Sequence, residues 1–370
     1  MYNCCKKSLI VTKSPIRLVF WTTLFIWLSL HVFIIDGGFP IIIYGQFILH
    51  FIAGILIIKS YKNDITVYFE KTMVLISAIS IVFWIVEMLG GHYLLHKSPI
   101  LLENIMGNSQ YSILLYTLGN VDTMSGGLWR NSGCAWEPGL YSIMLSMAIL
   151  FNIYHNNGIR LNKRFFILLI ALITTFSTTG YIIAMIIFAC YFMFSKKNRI
   201  VHKIIYIIIF GITFFFIYEL PFMSNKIEQR GQVENFTTNS GAMEWYEKED
   251  IIYTPDRFEG IYLDYLNFLA NPIIGYGIQR EKSFVYNNIS PYIITSNGIV
   301  KSFAQYGFIL GIIFLILTYK SCDKLGKLYS FNSKWMLFVI IIIGSVSYMF
   351  DSTPIMRAIE LYALYNLKNV

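Results

Sequence analysis

The chain has 370 residues, of which 56% are hydrophobic and only 14% are charged, and its mean hydropathy is +0.58. A soluble domain carries roughly 25% charged residues, so this composition excludes an ordinary soluble protein and indicates a polytopic membrane protein. The formal net charge of +8 does not indicate a nucleic-acid partner, because the basic residues lie mostly in short loops between apolar runs. In such loops they set the orientation of membrane spans.

Apolar runs along the chain predict an all-α fold, a polytopic transmembrane helical bundle of about ten spans at about 20 residues each. The predicted spans cover residues 18–35, 39–58, 72–89, 139–154, 165–178, 181–194, 201–220, 298–317, 335–350 and, more weakly, 354–365. The runs 165–178 and 181–194 are short, and one long broken helix is the alternative there. We treat residues 1–370 as a single integral membrane domain with both termini inside, and the first span as a retained anchor.

Two predicted outer segments interrupt the spans. The first, residues 90–138, contains a short apolar piece at 111–118, which we interpret as lying in the membrane interface. The second, residues 221–297, is the large extracytoplasmic loop, and its polar part at 224–250 has little periodicity.

The second half of the large loop predicts an amphipathic helix. Asp256 follows Pro255 and precedes Glu259 by three residues, which is a capping-box pattern. Asn271-Pro272 ends the helix, and Gly275-Tyr276-Gly277 predicts a turn that allows close backbone approach. Between Asp256 and Asn271, the apolar residues recur at helical spacing; they are Phe258, Ile261, Tyr262, Tyr265, Leu266 and Leu269.

Charged residues gather at the predicted outer ends of the spans. A charge at membrane depth costs at least about 2.5–3.5 kcal/mol, so such residues are seldom there without a use. Arginines near the surface suit a diphosphate, because the guanidinium is always charged and binds phosphate oxygens in pairs. The alternatives are ordinary surface residues and, for Glu137, capping of the next helix. The residues are Arg130, Glu137, Asp256, Arg257, Glu259, Arg280 and Lys301.

Cysteine and histidine patterns indicate neither a disulfide framework nor a metal site. Only Cys134 of the five cysteines faces outward in the predicted topology, and the six histidines have no metal-ligand spacing. Neither a nucleotide-binding loop nor a DxD motif occurs, which argues against a nucleotide-sugar enzyme and an ATP-driven pump.

Four segments together resemble the O-antigen ligase and polymerase superfamily of bacterial membrane proteins. They are Arg130-x-x-Gly133-x-x-Trp136-Glu137-Pro138-Gly139, the polar turn Phe176-Ser177-Thr178-Thr179-Gly180-Tyr181, the loop elements Asp256-Arg257-Phe258 and Asn271-Pro272-Ile273-Ile274-Gly275-Tyr276-Gly277, and Ser296-Asn297-Gly298 through Gln305-Tyr306-Gly307-Phe308-Ile309-Leu310-Gly311. Ligases of this family usually carry a histidine where Ser296 stands, and the large loop has none. This departure favours a polymerase.

The resemblance implies a polysaccharide polymerase of the bacterial inner membrane that uses neither metal nor cofactor. On the periplasmic face it would transfer a glycan from undecaprenyl diphosphate to a sugar hydroxyl of a lipid-linked repeat unit of O-antigen, capsule or exopolysaccharide. Expected partners are this oligosaccharide, membrane lipids and a chain-length regulator protein. The alternatives are a ligase and, from another class, a lipid-linked oligosaccharide flippase or transporter, which would carry charges within its spans. Most of the charges outside the loops gather at one face instead, with Glu87, Arg357 and Glu360 as exceptions, and the sequence shows no internal repeat.

The resemblance also assigns roles to residues. Arg130, Arg257 and Arg280 would neutralise the diphosphate leaving group, and Glu137, or second Asp256, would act as the base. The expected substrate-binding residues are Arg280, Trp136, Tyr181, Tyr276, Asn297 and Lys301.

Overall fold

The computed structural model describes residues 15–35, 38, 40–98, 102–103, 111–119, 124, 127–194, 253–255, 257–329, 335–349 and 353–365. The predicted span 201–220, the polar segment 224–250 and Asp256 lie outside these ranges.

The described part of the chain is mostly helical, as predicted. Its α-helices are α1 (Pro15–Leu30), α2 (Ile41–Tyr61), α3 (Ile65–Val86), α4 (His92–His96), α5 (Pro138–His155), α6 (Lys163–Thr174), α7 (Thr178–Phe194), α8 (Arg257–Ala270), α9 (Phe284–Asn288), α10 (Ile299–Lys327), α11 (Met336–Ser345) and α12 (Pro354–Leu361). Two π-helical turns, His31–Ile35 and Glu87–Gly91, follow α1 and α3 directly.

Three helical stretches in the described ranges are long and apolar enough to cross a membrane. They are Pro15–Phe33, Ile41–His96 and Ile299–Lys327, and two shorter apolar helices are Thr178–Met193 and Met336–Ser345. The stretch Ile41–His96 contains two predicted spans, with a break at Lys62, whose φ is 49°. These helices are compatible with a membrane protein, and the ten-span topology stays a prediction.

The chain divides into two compact units. The first consists of the described residues within Met1–Ile65, Tyr246–Leu328 and Tyr348–Val370, and the second of those within Thr66–Trp245 and Tyr329–Ser347.

In the first unit, α12 packs on α2 and α8 packs on α10. Gly54 of α2 permits the close approach of α12, because a Cβ there would lie 3.1 Å from the backbone nitrogen of Ala358. Arg357 of α12 is buried, forms an ion pair with Glu360, and places its guanidinium 4.4 Å from the ring centre of Phe51. The ion pair and the cation–π contact together offset the desolvation cost of burying the guanidinium.

In the second unit, α5 is the central helix and contacts α6, α7 and α11. Of its 18 residues, all except Met144 and His155 are buried. Helices α6 and α7 are separate elements joined by a turn at Phe176, whose φ is 44°. The 12 residues of α6 extend only about 18 Å, which is too short to span a membrane alone.

The apolar piece 111–118 corrects the purely helical prediction, because it forms strands. Strands β1 (Leu102–Glu103), β2 (Tyr111–Ile113) and β3 (Tyr116–Thr117) make a small antiparallel sheet in that order. Ile113 and Tyr116 are buried together, and the Tyr116 hydroxyl donates to the buried carboxylate of Glu87. The pairing satisfies the backbone of a run that is too short to do so as a spanning helix.

Candidate functional site

The Arg130 segment and the polar turn before α7 are joined in the second unit. Arg130 Nε donates to the carbonyl oxygen of Thr175 over 3.1 Å. Beside it, Asn131 donates from its backbone to the carbonyl oxygen of Thr174 over 3.0 Å and from its amide to the Thr174 hydroxyl over 2.9 Å. Two segments that are separate in sequence therefore form one structural element.

Two glycines make this element tight. Gly133 has a φ of +52°, and a Cβ there would lie 2.3 Å from the ring of Tyr141. At Gly180 a Cβ would lie 2.4 Å from the side chain of Ser142, whose hydroxyl donates to Ser177 over 3.0 Å. A side chain at either position would collide with Tyr141 or Ser142, so both positions require glycine. The close packing at these glycines holds the segment of Arg130 against α5 and the start of α7.

The other predicted residues of this unit lie around the start of α5 and α7. Glu137 is extended, as Pro138 requires, and its side chain makes no capping hydrogen bond to α5. Trp136 is 41% exposed. An aromatic ring must be accessible in this way if a sugar is to stack on it. Tyr181 instead donates its hydroxyl to the carbonyl oxygen of Ile173 over 2.5 Å.

In the first unit, the predicted cations have aromatic or backbone neighbours. Arg257 begins α8, and its Nη2 donates to the Tyr348 hydroxyl over 2.7 Å. Arg280 lies 5.3 Å from the ring centre of Tyr286, and Lys301 Nζ donates to the carbonyl oxygen of Thr295 over 2.6 Å.

Helix α10 is broken at Gly307, where φ is 69° and ψ is 178°. The turn after α8 supplies the hydrogen bonds that the break removes. Phe308 donates to the carbonyl oxygen of Pro272 over 2.8 Å, and the amides of Tyr276 and Gly277 donate into α10 over 3.0 Å each, to Ala304 and Gln305. The predicted close-approach turn is thereby confirmed, and its partner is a broken helix that sequence patterns did not indicate.

Two side chains at the end of α1 hold this turn. Trp27 Nε1 donates to the carbonyl oxygen of Ile274 over 2.7 Å, and the His31 ring nitrogen Nε2 lies 3.1 Å from the same oxygen. A Cβ at Gly277 would lie 2.6 Å from His31 Nδ1. The turn is therefore fixed from both sides, by α10 and by the end of α1.

A buried polar cluster lies between α8 and the segment before α10. Asp264 is fully buried and accepts a hydrogen bond from the Thr295 hydroxyl over 2.8 Å. Burial raises the pKa of Asp264 to about 6, although the charge of Lys301 and the hydrogen bond from Thr295 oppose this rise. Asn297 and Asn267 also interact with this carboxyl group and oppose the rise of its pKa.

Sequence reasoning included Asn297 and Lys301 in the site and missed Asp264. The signal was present, because Gly260, Asp264 and Asn267 repeat at i, i+4 and i+7 and so share one face of α8. That face is buried, and a Cβ at Gly260 would lie 2.6 Å from Asn297 Nδ2.

The predicted site residues fall on both units. The second unit holds Arg130, Trp136, Glu137 and Tyr181, and the first holds Arg257, Tyr276, Arg280, Asn297 and Lys301. Arg130 and the two loop arginines belong to different units, so their convergence stays a prediction. Asp256 lies outside the described residues, so its role as a base also stays a prediction.

Within the described ranges, no group of three or more His, Cys, Asp or Glu side chains is arranged to hold a metal ion. Comparison of the chain with protein-family models, curated proteins and solved structures finds no match. The functional interpretation therefore depends on the residues themselves.

Proposed function

We propose that this chain is a membrane polymerase of lipid-linked oligosaccharide repeat units. In this proposal it transfers a glycan from a polyprenyl diphosphate to a sugar hydroxyl at the extracytoplasmic face. The three described helical stretches that are long and apolar enough to cross a membrane suit a lipid-linked substrate.

One observation carries the proposal, namely the assembly of α8, the segment before α10 and the start of α10. Gly260 of α8 lies against Asn297, and Thr295 connects Asp264 with Lys301 through its hydroxyl and carbonyl groups. Arg257 precedes Gly260 by three residues, or about 4.5 Å along the helix axis. Lys301, the Asp264 carboxyl group and the Asn297 amide therefore lie around this segment, and Arg257 begins the helix that carries Asp264.

This assembly suits group transfer from a diphosphate. Cations stabilise the charge that develops on the leaving diphosphate. A carboxyl group with a pKa of about 6 accepts a proton near neutral pH more effectively than an ordinary aspartate. Asp264 and Asn297 are buried polar groups of one cluster, and such a cluster offers hydrogen bonds to a ligand hydroxyl or an ordered water.

The test is the length of the polymer produced by a deletion strain that carries single variants. We expect Arg257→Lys and Arg130→Lys to shorten the polymer, because lysine keeps the charge and loses the bidentate geometry. Tyr348→Phe removes the hydroxyl that Arg257 contacts but keeps the guanidinium, so it should have a smaller effect. The matched control is Arg160→Lys, at an exposed arginine. Full-length polymer from both arginine variants would contradict the proposal.

A flippase for the same lipid-linked oligosaccharide is the second candidate. Broken helices and buried charges within spans are typical of transporters, and α10 is broken while Arg357 and Glu87 are buried. The two functions differ in what a deletion strain accumulates. Single repeat units on the outer leaflet indicate a lost polymerase, and repeat units retained on the inner leaflet indicate a lost flippase.

A further inference from the structure

The exposed surface of α8 is apolar. Among its 14 residues, all of which are described, the exposed large side chains are Phe258, Tyr262, Tyr265 and Leu269, at 60%, 54%, 48% and 52% exposure. Their spacing of i, i+4, i+7 and i+11 puts them on one face of the helix. Ile273, which is 63% exposed, continues this surface into the following turn.

The opposite face of α8 is buried and carries two polar side chains, those of Asp264 and Asn267. Gly260, Leu263, Asp264 and Asn267 are its buried residues, and the helix packs against α10. A surface helix of a soluble protein has the reverse arrangement, with its apolar face toward the core. Helix α8 is therefore built for surroundings that are less polar than water.

The position of α8 indicates that these surroundings are lipid. Helix α10, on which α8 packs, is one of the three helices able to cross a membrane, and its own exposed residues include Phe308 and Ile309. At about 21 Å, α8 is too short to span. Tyrosine and phenylalanine are the side chains typical of the boundary between headgroups and acyl chains.

We propose that α8 is an interfacial helix, whose stripe of Phe258, Tyr262, Tyr265 and Leu269 inserts into the lipid surface of the membrane. The buried cluster around Asp264 then lies at the depth of the lipid headgroups. This inference is independent of the proposed enzymatic function, because it depends only on the faces of α8 and on its contact with α10.

The test uses the unmodified full-length chain in nanodiscs that contain a phospholipid with a diazirine in its acyl chain. After photolysis, peptide mapping by mass spectrometry locates the lipid adducts. We expect adducts on the stripe residues of α8, and the positive control is Phe308 and Ile309 of α10. Asn287 and Asn288 of α9, both exposed and polar, are the matched control without label. Adducts on α10 with none on α8 would overturn the proposal.

A second measurement distinguishes lipid from protein cover. A nitroxide is placed at Tyr262→Cys or Asn288→Cys in a full chain whose five native cysteines are replaced. In nanodiscs, the ratio of accessibility to oxygen over accessibility to a water-soluble nickel chelate should be several-fold higher at position 262. Equal ratios would show water at the stripe, and protection of position 262 from both reagents would show a second copy or another protein. Either result overturns the proposal.

Discussion

Replacing Gly307 by alanine introduces a methyl group at the break of α10. The φ of 69° and ψ of 178° belong to a region almost restricted to glycine, and another residue there costs about 1–3 kcal/mol. The new Cβ would lie 2.2 Å from the carbonyl oxygen of Ile273 and 2.6 Å from the nitrogen of Gly275. Overpacking adds about 1–3 kcal/mol. We expect the free energy of unfolding to fall by about 2–6 kcal/mol in total.

The measurement is a denaturant titration of the purified chain in detergent, followed by circular dichroism. Gly45→Ala in α2 is the matched control, because no atom lies within 4 Å of a Cβ at Gly45. An alanine inside a helix should stabilise it by about 0.5–1 kcal/mol. An unfolding free energy of Gly307→Ala equal to that of the wild type would refute the conclusion that the backbone contact at the break requires glycine.

Three further predictions concern buried polar groups, and each is measured by the same titration. Burial raises the pKa of Asp264 to about 6, so the wild type should lose about 2 kcal/mol relative to Asp264→Asn as the pH rises from about 4 to about 6, and about 3 kcal/mol over the whole range from about pH 2 to about pH 8. Tyr116→Phe should cost about 1–3 kcal/mol, because it removes a hydrogen-bond donor from the buried carboxyl group of Glu87. Trp27→Phe should cost about 0.5–1.5 kcal/mol through the lost bond to the Ile274 carbonyl.

Each of these predictions has its own contradicting result. For Asp264, it is a stability difference from the asparagine variant that does not change between pH 4 and pH 6. For Tyr116, it is a loss no larger than that of Tyr93→Phe, at a tyrosine that is 64% exposed. For Trp27, it is an unchanged midpoint and slope of the titration.

Proline, glycine and polar turn residues made the ends of several helices and one turn predictable from the sequence. Asn271-Pro272 ends α8 where predicted, because proline cannot continue a helix. Gly275 and Gly277 have the positive φ values, 74° and 89°, expected of a close-approach turn. The residues between 174 and 178 separate two helices, one of the two arrangements that the apolar pattern left open.

The remaining features depend on contacts that hydropathy does not encode. The break at Gly307 lies inside a continuous apolar run, and it forms because residues 272–277 replace the lost hydrogen bonds. The strands at 111–117 form because β2 and β3 pair with each other and pack on α3. The burial of Asp264 was missed because a helix usually buries its apolar face, whereas α8 buries the face that carries Asp264 and Asn267.

The break in α10 has a consequence for biosynthesis. The turn at 272–277 precedes α10 in the chain, so it leaves the ribosome before the helix whose open backbone groups it satisfies. In hydrocarbon those groups have no water to bind, and each unsatisfied group costs several kcal/mol. The turn must therefore be folded before α10 can take its final, broken form, which makes the folding of this helix dependent on the segment that precedes it.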